Sequence, residues 1–575
     1  MKILGIQIDH NSSACLFNNN ELIYYHQEER LSRLKKDSGI PYCCLKQIAK
    51  INPKIDAVAI SGYNFLRFQN MNIPALLKKI GFELSGRFQW FSNYKGHHYT
   101  HALKAFYDSG FEESLILVSD GRGSTYFLSN GAQAIETTSI FSASKARGLS
   151  LLYKRLYTPS NIDNAYIIWD SEFLEDKTKI PNWVGKNSVI EIRNDYDVGF
   201  MYESVSRAIG FNDEGGKMLG LQSYGCRDDS LPYTLTYDNK FNMSLFKFDD
   251  ELHNKGFDTD RYPQLCEKEK QINLAYHVQK TFEYIQLERI KEFLNKTGHQ
   301  NVTLTGGCAL NVVANSYIMK NLPIEISLYV DPLCGDEGNS IGAVYSYNKD
   351  RFAQSAPGSI TNLYISGTNP NYNLNILDDE LIYDVSDSDI VKLLIEKNVV
   401  ALFQGKAEAG PRALGNRSIL FDPRVNNGKD IVNKIKAREP FRPFGCSVML
   451  DKAKEWFNMN NLSESQYMMY ALDIDDEVAK KIPAVVHVDK TCRIQTVTRE
   501  QNLLFYNLLE CFYQETGIPL LLNTSFNVAN EPIVETLDDA LRSLRSSDIE
   551  YLYLPEMKKL VHIKNVISND QLSIT

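Results

Sequence analysis

Two histidines one helical turn apart are the first residues of this sequence whose type and spacing suggest chemistry. His97 and His101 lie in the segment Gly-His-His-Tyr-Thr-His-Ala that begins at Gly96. Residues four apart on a helix point to the same side, and two imidazoles placed in this way can bind one metal ion. Pairs of packed or surface histidines have the same spacing, so both interpretations stay open for the pair alone.

Two aspartates strengthen the metal interpretation. Asp120 ends an apolar run and precedes a Gly-rich turn, and Asp336 lies between glycines just before a segment of small residues. A carboxylate beside glycines that let a phosphate approach the backbone is typical of nucleotide and metal-phosphate sites. Each aspartate alone is more often a turn or helix cap. Together with His97 and His101 they form a nitrogen and oxygen ligand set that suits iron, zinc or manganese.

A third element is the glycine pair Gly306 and Gly307, which follows an apolar run and precedes Asn311 and a predicted helix. A Gly-Gly turn between a strand and a helix lets the ribose or base of a nucleotide come close to the backbone. Many strand-to-helix crossovers contain such a pair, so a purely structural turn is the alternative interpretation.

The second half of the chain contains an Arg-rich segment interrupted by Gly and Pro. A solvated basic face is usually helical and mixes Lys with Glu, whereas this segment is rigid. Guanidinium groups held by Pro and Gly suit bidentate binding of phosphate or carboxylate-like groups, so we predict an anion pocket. Its candidate cations are Arg412, Arg417, Arg424, Lys436, Arg438 and Arg442. Arg493, Asn523 and Ser525 add polar groups at predicted strand ends.

The elements that must position these residues alternate between strands and helices. The chain opens with predicted strands at residues 2–8, 14–17 and 21–26. A helix is predicted at 97–108 and a strand at 114–119. This alternation favours a layered α/β fold, and no internal repeat is evident in the sequence.

A break in the pattern divides the chain into two predicted domains. Pro, Ser, Gly and Asn accumulate without periodicity at residues 350–371, as expected of a domain boundary. At 575 residues the chain is too long for one ordinary core. We therefore predict one domain over residues 1–352 and a second α/β domain over residues 373–575. The strands predicted in the second domain are 399–403, 520–522 and 551–554.

Composition narrows the function classes. The formal net charge of −9 disfavours nucleic-acid binding, which usually leaves a basic footprint. No run approaches the ~20 apolar residues of a membrane span. Asp9, His10 and Asn11 interrupt the apolar N-terminal run, which therefore predicts a buried strand and not a secretory signal. The ten cysteines form no CxxC pair, so we expect reduced thiols, a cytoplasmic protein, and no nucleic-acid or membrane partner.

Together these motifs resemble the O-carbamoyltransferases of nodulation-factor and antibiotic biosynthesis, such as the tobramycin, cephalosporin and ansamycin enzymes. The similar segments run along nearly the whole chain in one order, which makes the resemblance specific. They are Asp9-His-Asn-Ser-Ser-Ala14, Gln27-Glu-Glu-Arg-Leu-Ser-Arg33, His97-His-Tyr-Thr-His-Ala102, Gly215-Gly-Lys-Met-Leu-Gly-Leu-Gln-Ser-Tyr-Gly225, Thr305-Gly-Gly307, Gly335-Asp336, Gly410-Pro-Arg-Ala-Leu-Gly-Asn-Arg-Ser418, Arg438-Glu-Pro-Phe-Arg-Pro443, Asn523-Thr-Ser-Phe-Asn527 and Glu531-Pro-Ile-Val534.

The resemblance implies an N-terminal domain with the fold of the actin-like ATPase superfamily, similar to the universal tRNA threonylcarbamoyl transferase. It implies a C-terminal α/β domain similar to threonylcarbamoyl-adenylate synthase. In such enzymes the C-terminal domain combines carbamoyl phosphate and ATP, which Mg²⁺ accompanies, into carbamoyl adenylate. The N-terminal domain transfers the carbamoyl group to a hydroxyl of a small-molecule acceptor, expected here to be a natural product, beside a divalent metal expected to be Fe(II).

The resemblance also assigns roles residue by residue. It implies His97, His101, Asp120 and Asp336 as metal ligands, and His10 as the base that deprotonates the acceptor alcohol. The residues that it implies for nucleotide and carbamoyl-phosphate binding are Gly306, Gly307, Asn311, Arg412, Arg417, Lys436, Arg438, Arg442, Arg493, Asn523 and Ser525.

The sequence departs from the family pattern at two places. The first turn reads Asp-His-Asn-Ser-Ser from Asp9, where the family more often has His-Asp-Ala-Ser or His-Asp-Ser. Before Glu531 the family usually has a glycine, often preceded by a basic residue, whereas this chain has Ala529 and Asn530.

Three other functions fit parts of the sequence. A tRNA-modifying carbamoyl-adenylate enzyme would use both halves, but the acidic net charge and the fusion of the halves disfavour it. Hydrogenase-maturation carbamoyltransferases share both halves but also carry an acylphosphatase domain and paired CxxC zinc sites, which this sequence does not show. A non-catalytic nucleotide sensor of actin-like fold would need neither a metal pair nor an Arg-rich second site.

Overall fold

Apolar runs bounded by turns fold into three β-sheets and their covering helices in the part of the chain that the computed structural model describes. Contacts divide the chain into unit 1, Met1–Ser32 with Lys36–Thr361, and unit 2, Arg33–Lys35 with Asn362–Thr575. The structure describes residues 1–62, 71–92, 96–128, 131–159, 165–168, 184–194, 197–212, 214–231, 267–352, 360, 362–374 and 381–563.

Unit 1 contains two of the sheets. Its strands are β1 (Lys2–Gln7), β2 (Ser13–Asn18), β3 (Glu21–Gln27), β4 (Lys54–Ser61), β5 (Glu83–Ser92), β6 (Glu113–Ser119), β7 (Thr125–Phe127), β8 (Gln133–Ser144), β9 (Gly148–Tyr157), β10 (Ala165–Ile168), β11 (Val184–Arg193), β12 (Asn301–Thr305) and β13 (Ser327–Val330). Its helices are α1 (Glu28–Ser32), α2 (Tyr42–Ile51), α3 (Ile73–Ile80), α4 (His97–Asp108), α5 (Val198–Ala208), α6 (Gly215–Leu221), α7 (Lys268–Thr297), α8 (Val312–Asn321) and α9 (Asn339–Phe352).

The first sheet of unit 1 is buried on both faces. Its order is β3-β2-β1-β4-β5, with β2 antiparallel to β1 and β3, and with β4 parallel to β1 and β5. Leu4 and Ile6 of β1 pack with Leu45 and Ile48 of α2 on one side. Helix α9 packs against β1 and β4. Because helices cover the sheet, β1 is an almost continuous apolar run without alternation.

The second sheet repeats the topology of the first. Its order is β10-β11-β9-β8-β6-β12-β13. From β9 to β13 the pattern of the first sheet recurs, since β8 is antiparallel to β6 and β9, while β12 is parallel to β6 and β13. Helix α4 packs on this sheet and also on α9. Unit 1 therefore contains an internal repeat of strand order that was not evident in the sequence.

Unit 2 is built on a single mixed sheet within its described residues. Its order is β14-β22-β21-β15-β16-β20-β17-β19-β18. The strands are β14 (Leu381–Asp384), β15 (Val400–Phe403), β16 (Arg417–Phe421), β17 (Gly445–Met449), β18 (Ala471–Asp473), β19 (Thr491–Val497), β20 (Leu520–Ser525), β21 (Tyr551–Leu554) and β22 (Lys559–His562). The helices are α10 (Asp387–Ile395), α11 (Gly428–Ile435), α12 (Leu450–Trp456), α13 (Asp476–Ala479), α14 (Leu503–Thr516) and α15 (Leu537–Arg545).

The predicted mixed α/β architecture is confirmed in both units. The helix predicted at residues 97–108 is α4, and the strand predicted at 114–119 is β6, one residue longer at its start. Among the described helices, none combines the length and the apolar character needed to cross a bilayer.

Candidate functional site

Helix α4 carries the predicted histidine pair into the interior of unit 1. His97 and His101 are each 1% exposed, and their Nε2 atoms lie 3.1 Å apart. The first turn of the helix is fixed by Ser124, whose Oγ accepts a hydrogen bond from His97 N at 2.8 Å. The four-residue spacing thus directs two ring nitrogens toward one point.

Two carboxylates complete the cluster. Asp120 directly follows β6, and Asp336 begins the 3-10 turn Asp336–Gly338 that leads into α9. Asp336 Oδ1 lies 3.1 Å from His97 Nε2 and 3.5 Å from His101 Nε2. Asp120 Oδ2 lies 3.6 Å from both of these nitrogens. One ligand atom from each of the four residues lies within 4.8 Å of all the others.

The spacing of these atoms fits a shared metal ion. Ligand atoms ~2.1 Å from a first-row metal lie about 3.0–3.4 Å from one another. Five of the separations between ligand atoms are 3.1–3.6 Å. Asp120 Oδ2 is buried and accepts no hydrogen bond from the described residues, although buried polar atoms normally have a partner. Two imidazoles and two carboxylates suit iron, zinc or manganese.

The charges within the cluster are complementary. Burial alone would lower the pKa of His97, but Asp336 and Asp120 raise it to about 10. Burial alone would raise the pKa of Asp336, but His97 and His101 lower it well below its usual range. The carboxylates therefore favour a positive charge where the ligand atoms meet, whether a proton or a metal ion supplies it.

Unit 2 holds a separate cluster of cations around Lys436. This side chain is fully buried, and its Nζ donates hydrogen bonds to the Ser525 carbonyl and, at 3.2 Å, to Asn527 Oδ1. Burial lowers the pKa of Lys436, and the neighbouring Arg438 and Arg442 lower it further. Like charges held together in this way are unfavourable until an anion joins them.

Arg493, on β19, belongs to the same cluster. Burial lowers the pKa of its guanidinium, and Arg412 and the two arginines beside Lys436 lower it further. Carboxylates beside these cations include Glu531, which acts on Lys436, and Glu439, 3.6 Å from Arg442. Lys436, Arg438, Arg442, Arg412 and Arg493 thus act on one another as like charges, so the cluster fits a ligand that carries several negative charges.

Two family models match this chain. The model described as Carbamoyltransferase N-terminus matches residues 72–345, and the model described as Carbamoyltransferase C-terminus matches residues 391–559. Together they span more than half of the sequence. The chain belongs to the carbamoyltransferase family. The resemblance seen in the sequence motifs is thereby confirmed.

Relatives of this chain include an uncharacterized protein of Methanocaldococcus jannaschii, 30% identical over 96% of this chain and 98% of that protein. Nodulation protein NolNO of Sinorhizobium fredii is 27% identical over 94% of this chain and 78% of that protein. Among solved structures, full-length HypF in its phosphate- and nucleotide-bound form is 12% identical, with a TM-score of 0.36 over 62% of this chain and 56% of HypF. A likeness of that degree does not assign a fold.

A buried acid holds the first turn of α4. Glu136, on β8, accepts hydrogen bonds from Ser124 N at 2.9 Å and from His98 N at 3.4 Å, and Lys154 donates to its other oxygen. Helix N-termini favour negative charge, so Glu136 stabilises the turn that contains His97. Glu136 was not among the residues predicted from the sequence; an acid within a largely apolar and hydroxyl-bearing strand was the available signal.

The predicted base His10 lies in the turn between β1 and β2, with its side chain exposed. This turn approaches the segment that bears Asp336, because Ser13 Oγ donates to the Glu337 carbonyl at 2.7 Å and lies 2.8 Å from Ser340 Oγ. Glu337 directly follows Asp336. The structure thus brings the turn beside the His97, His101, Asp120 and Asp336 cluster, while the imidazole of His10 is not part of the cluster itself.

The predicted nucleotide residues at the end of β12 have packing and capping roles. Gly306 has a φ of 87°, and a Cβ at this position would collide with the backbone of Ser119. A Cβ at Gly307 would lie 2.9 Å from Asp120 Oδ1. The glycine pair therefore lets β12 end against the strand that carries Asp120. Asn311 caps α8 with its side-chain oxygen, and nucleotide binding by these residues stays a prediction.

Arg417 differs from the other predicted cations of the pocket. Its guanidinium carbon lies 3.7 Å from the centre of the Phe403 ring, and its nitrogens donate to backbone carbonyls. These carbonyls belong to Gln404, Gly405, Asn416 and Glu535. Because its two terminal nitrogens already donate to these backbone carbonyls, Arg417 is not included in the proposed anion pocket.

The two predicted polar residues of β20 have different surroundings. Ser525 Oγ donates to Asn527 Oδ1 at 2.6 Å, and that oxygen also accepts from Lys436. Asn523 is fully buried, and its Nδ2 donates to Ser447 Oγ at 2.8 Å. Ser525 therefore lies beside the cation cluster, whereas Asn523 ties β20 to β17, to Gln495 of β19 and to the Ala413 carbonyl next to Arg412.

Glu408 is a further residue that sequence analysis did not identify. It is fully buried, and its Oε1 accepts backbone hydrogen bonds from Leu414 and Asn416, each at 2.7 Å, and from Arg417 at 3.2 Å. These bonds close the Gly- and Pro-containing loop that carries Arg412. A single acid among small residues just before that loop was the available signal.

Proposed function

We propose that the chain is an O-carbamoyltransferase that forms carbamoyl adenylate from carbamoyl phosphate and ATP and passes the carbamoyl group to a hydroxyl of a small natural product. The observation that carries this proposal is the pair of charged clusters in a member of the carbamoyltransferase family. Unit 1 has four converging metal-type ligands, and unit 2 has a cluster of buried and half-buried cations that repel one another. A nucleotide sensor would need neither cluster.

In unit 2 the cation cluster would bind the phosphates of both substrates. Water hydrolyses carbamoyl phosphate to carbamate and inorganic phosphate. A carbamate oxygen then attacks the α-phosphorus of ATP. The products are one carbamoyl adenylate and one pyrophosphate. Lys436, Arg442 and Arg493 would stabilise the negative charge that grows on the departing pyrophosphate, where positive groups lower a barrier most. Mg²⁺ would accompany ATP.

In unit 1 the ligand cluster would hold a divalent metal, which we infer to be Fe(II). A bound ion would supply Lewis-acid polarisation of oxygen atoms. His97 and His101 offer one nitrogen each, and Asp120 and Asp336 bring two negative charges that match a dication. Glu136 keeps the first turn of α4 in place, so the histidines need little rearrangement to bind.

His10 would act as the base in the transfer step. Its neutral imidazole accepts the proton of the acceptor hydroxyl while that oxygen attacks the carbamoyl carbon. The bond to the adenylate oxygen breaks, and AMP leaves with the electron pair. Support comes from the turn that carries His10, which Ser13 fixes against the segment after Asp336.

We also infer that unit 1 has the actin-like fold that the family resemblance implies. The repeated strand order, with the second strand antiparallel and the fourth and fifth parallel to the first, supports a duplicated α/β unit. The relation of unit 2 to threonylcarbamoyl-adenylate synthase rests on the sequence motifs.

The test is to incubate the metal-loaded full-length protein with ATP and carbamoyl phosphate and to measure phosphate, pyrophosphate and AMP. We expect phosphate and pyrophosphate in equal amounts, and an added carbamoyl group on a true acceptor by mass spectrometry. His10→Asn should abolish transfer but keep pyrophosphate release, and Arg442→Ala should abolish pyrophosphate release first. Loss of the same step in both variants would contradict the division of labour, and no turnover at all would favour a sensor.

A further inference from the structure

The face of α4 that carries the histidine pair continues with a buried lysine. Lys104 follows His101 by three residues, and its side chain is 1% exposed. Its Nζ lies 2.7 Å from Asp331 Oδ1 and 3.0 Å from Asp108 Oδ2. Although burial alone would lower the pKa of Lys104, Asp331 and Asp108 raise it, so the ammonium group stays charged.

Asp331 begins the loop that ends at the metal-type ligand Asp336. It uses both oxygens to hold this loop, since Oδ1 accepts from Leu333 N at 3.0 Å and Oδ2 accepts from Thr305 Oγ1 at 3.0 Å. Its own backbone N donates to the Leu304 carbonyl at 2.9 Å. The start of the loop is therefore fixed to β12, and Lys104 connects it to α4.

The methylene chain of Lys104 supports the other end of the loop. A Cβ added at Gly338, two residues after Asp336, would lie 3.1 Å from Lys104 Cε. The lysine thus touches the loop on both sides of the ligand: its ammonium group binds Asp331, and its stem packs against Gly338. His97, His101 and Lys104 lie on one helix, so the helix that carries two ligands also holds the third.

We infer that Lys104 is a positioning residue that sets the distance between Asp336 and the histidine pair, and thereby the affinity and coordination of the metal. This inference rests on the proposed metal site. Lys104 does not touch the reacting atoms; it acts through Asp331 and the loop. Residues that orient metal ligands in this way typically change metal affinity by about 10–100-fold when they are replaced.

The experiment uses Co(II) as the probe with the full-length protein. Co(II) affinity is measured by competition with a chelator, its visible absorption reports the ligand set, and thermal unfolding is recorded in parallel. Lys104→Met should weaken Co(II) binding by about 10–100-fold and move the spectrum toward that of Asp336→Asn. If Lys104→Met does not fold, Asp331→Asn removes the same ion pair with little change in shape and should give the same result.

Two control variants separate positioning from general stability. Asp108→Asn removes one carboxylate that pairs with Lys104 but leaves the ion pair between Lys104 and Asp331 of the loop. Leu103→Ala makes a cavity on the same helix. Both should lower the unfolding temperature and leave Co(II) affinity and spectrum at wild-type values. Wild-type metal properties in Lys104→Met, or equal losses in Asp108→Asn, would overturn the inference. If His97→Ala left the Co(II) spectrum unchanged, that result would instead overturn the metal site itself.

Discussion

Replacing Lys436 by methionine should remove adenylate formation without weakening the fold. Lys436 is fully buried, and Arg438 and Arg442 repel its charge. Methionine keeps most of the volume and removes the charge. Because the unliganded pocket concentrates cations for a ligand, the lysine is expected to serve binding at the expense of stability.

The magnitude is set by two opposing effects. Replacing a buried charge by an apolar side chain of similar volume is often neutral or stabilising by about 1–4 kcal/mol. Against this stands the loss of hydrogen bonds to Ser525 and Asn527, worth about 1–3 kcal/mol together. These two effects are of similar size, so the expected net change in the free energy of unfolding is near zero. For a unit of this size, 1 kcal/mol shifts the unfolding temperature by about 2–4 °C.

Arg417→Met is the matched comparison, since Arg417 is also a buried cation of unit 2. Its loss leaves backbone carbonyls without donors, and we expect destabilisation of about 3–5 kcal/mol. Thermal and urea unfolding of both variants, with and without pyrophosphate, measures the contrast. Pyrophosphate should stabilise the wild type and not Lys436→Met. A Lys436→Met protein destabilised as strongly as Arg417→Met would refute the distinction between pocket and structural cations.

The same lysine gives a dependence on pH. Its pKa in the folded protein lies below the unfolded value of about 10.4. Between these two values the unfolded chain binds more protons than the folded one, so the free energy of unfolding rises with pH. Lys436→Met should lose this alkaline rise when urea unfolding of the unliganded protein is compared at several pH values.

Substitutions at three further places have expected outcomes. Glu136→Gln leaves Lys154 buried beside a neutral amide and should destabilise the protein by about 3–5 kcal/mol in urea unfolding. Gly306→Ala combines a left-handed backbone with a collision against Ser119 and should cost about 2–5 kcal/mol. Its control Gly298→Ala, also left-handed but with open space around it, should cost only about 1 kcal/mol. Because φ is 66° at Asn530, Asn530→Gly should be neutral or slightly stabilising, and Asn530→Ala should destabilise the protein by about 1 kcal/mol. Calorimetry tests each of these variants.

The grouping of the four ligand-type side chains was predictable because residues that can bind a metal are few in type and occupy recognisable places. His97 and His101 were recognisable by their helical spacing, and Asp120 by its position after an apolar strand. What the sequence does not encode locally is that β6, α4 and the turn before α9 converge. This convergence depends on sheet pairing between residues far apart in the chain, and it was expected only because of the family resemblance.

The roles of individual cations could not be predicted in the same way. Arg412 and Arg417 are five residues apart in one Arg-rich segment, yet Arg417 serves backbone carbonyls, one of them on Glu535, 118 residues later. Lys104 has no local signal either, because its partner Asp331 is 227 residues away. Asn530 is the opposite case: asparagine stands where the family resemblance leads us to expect glycine, and its left-handed φ of 66° is a conformation that both residues adopt.

The repeated topology of unit 1 accounts for where its chemistry lies. In each repeat the first strand runs into a turn that contains an aspartate, Asp9 after β1 and Asp120 after β6. In each repeat a glycine shortly after the fourth strand packs on this aspartate. After β4, a Cβ at Gly62 would lie 3.1 Å from Asp9 Oδ2. After β12, a Cβ at Gly307 would lie 2.9 Å from Asp120 Oδ1. The two turns differ in the residue after the aspartate, which is His10 in the first and Gly121 in the second. The same backbone arrangement, used twice, therefore presents a proposed metal ligand in the second repeat and the proposed base in the first.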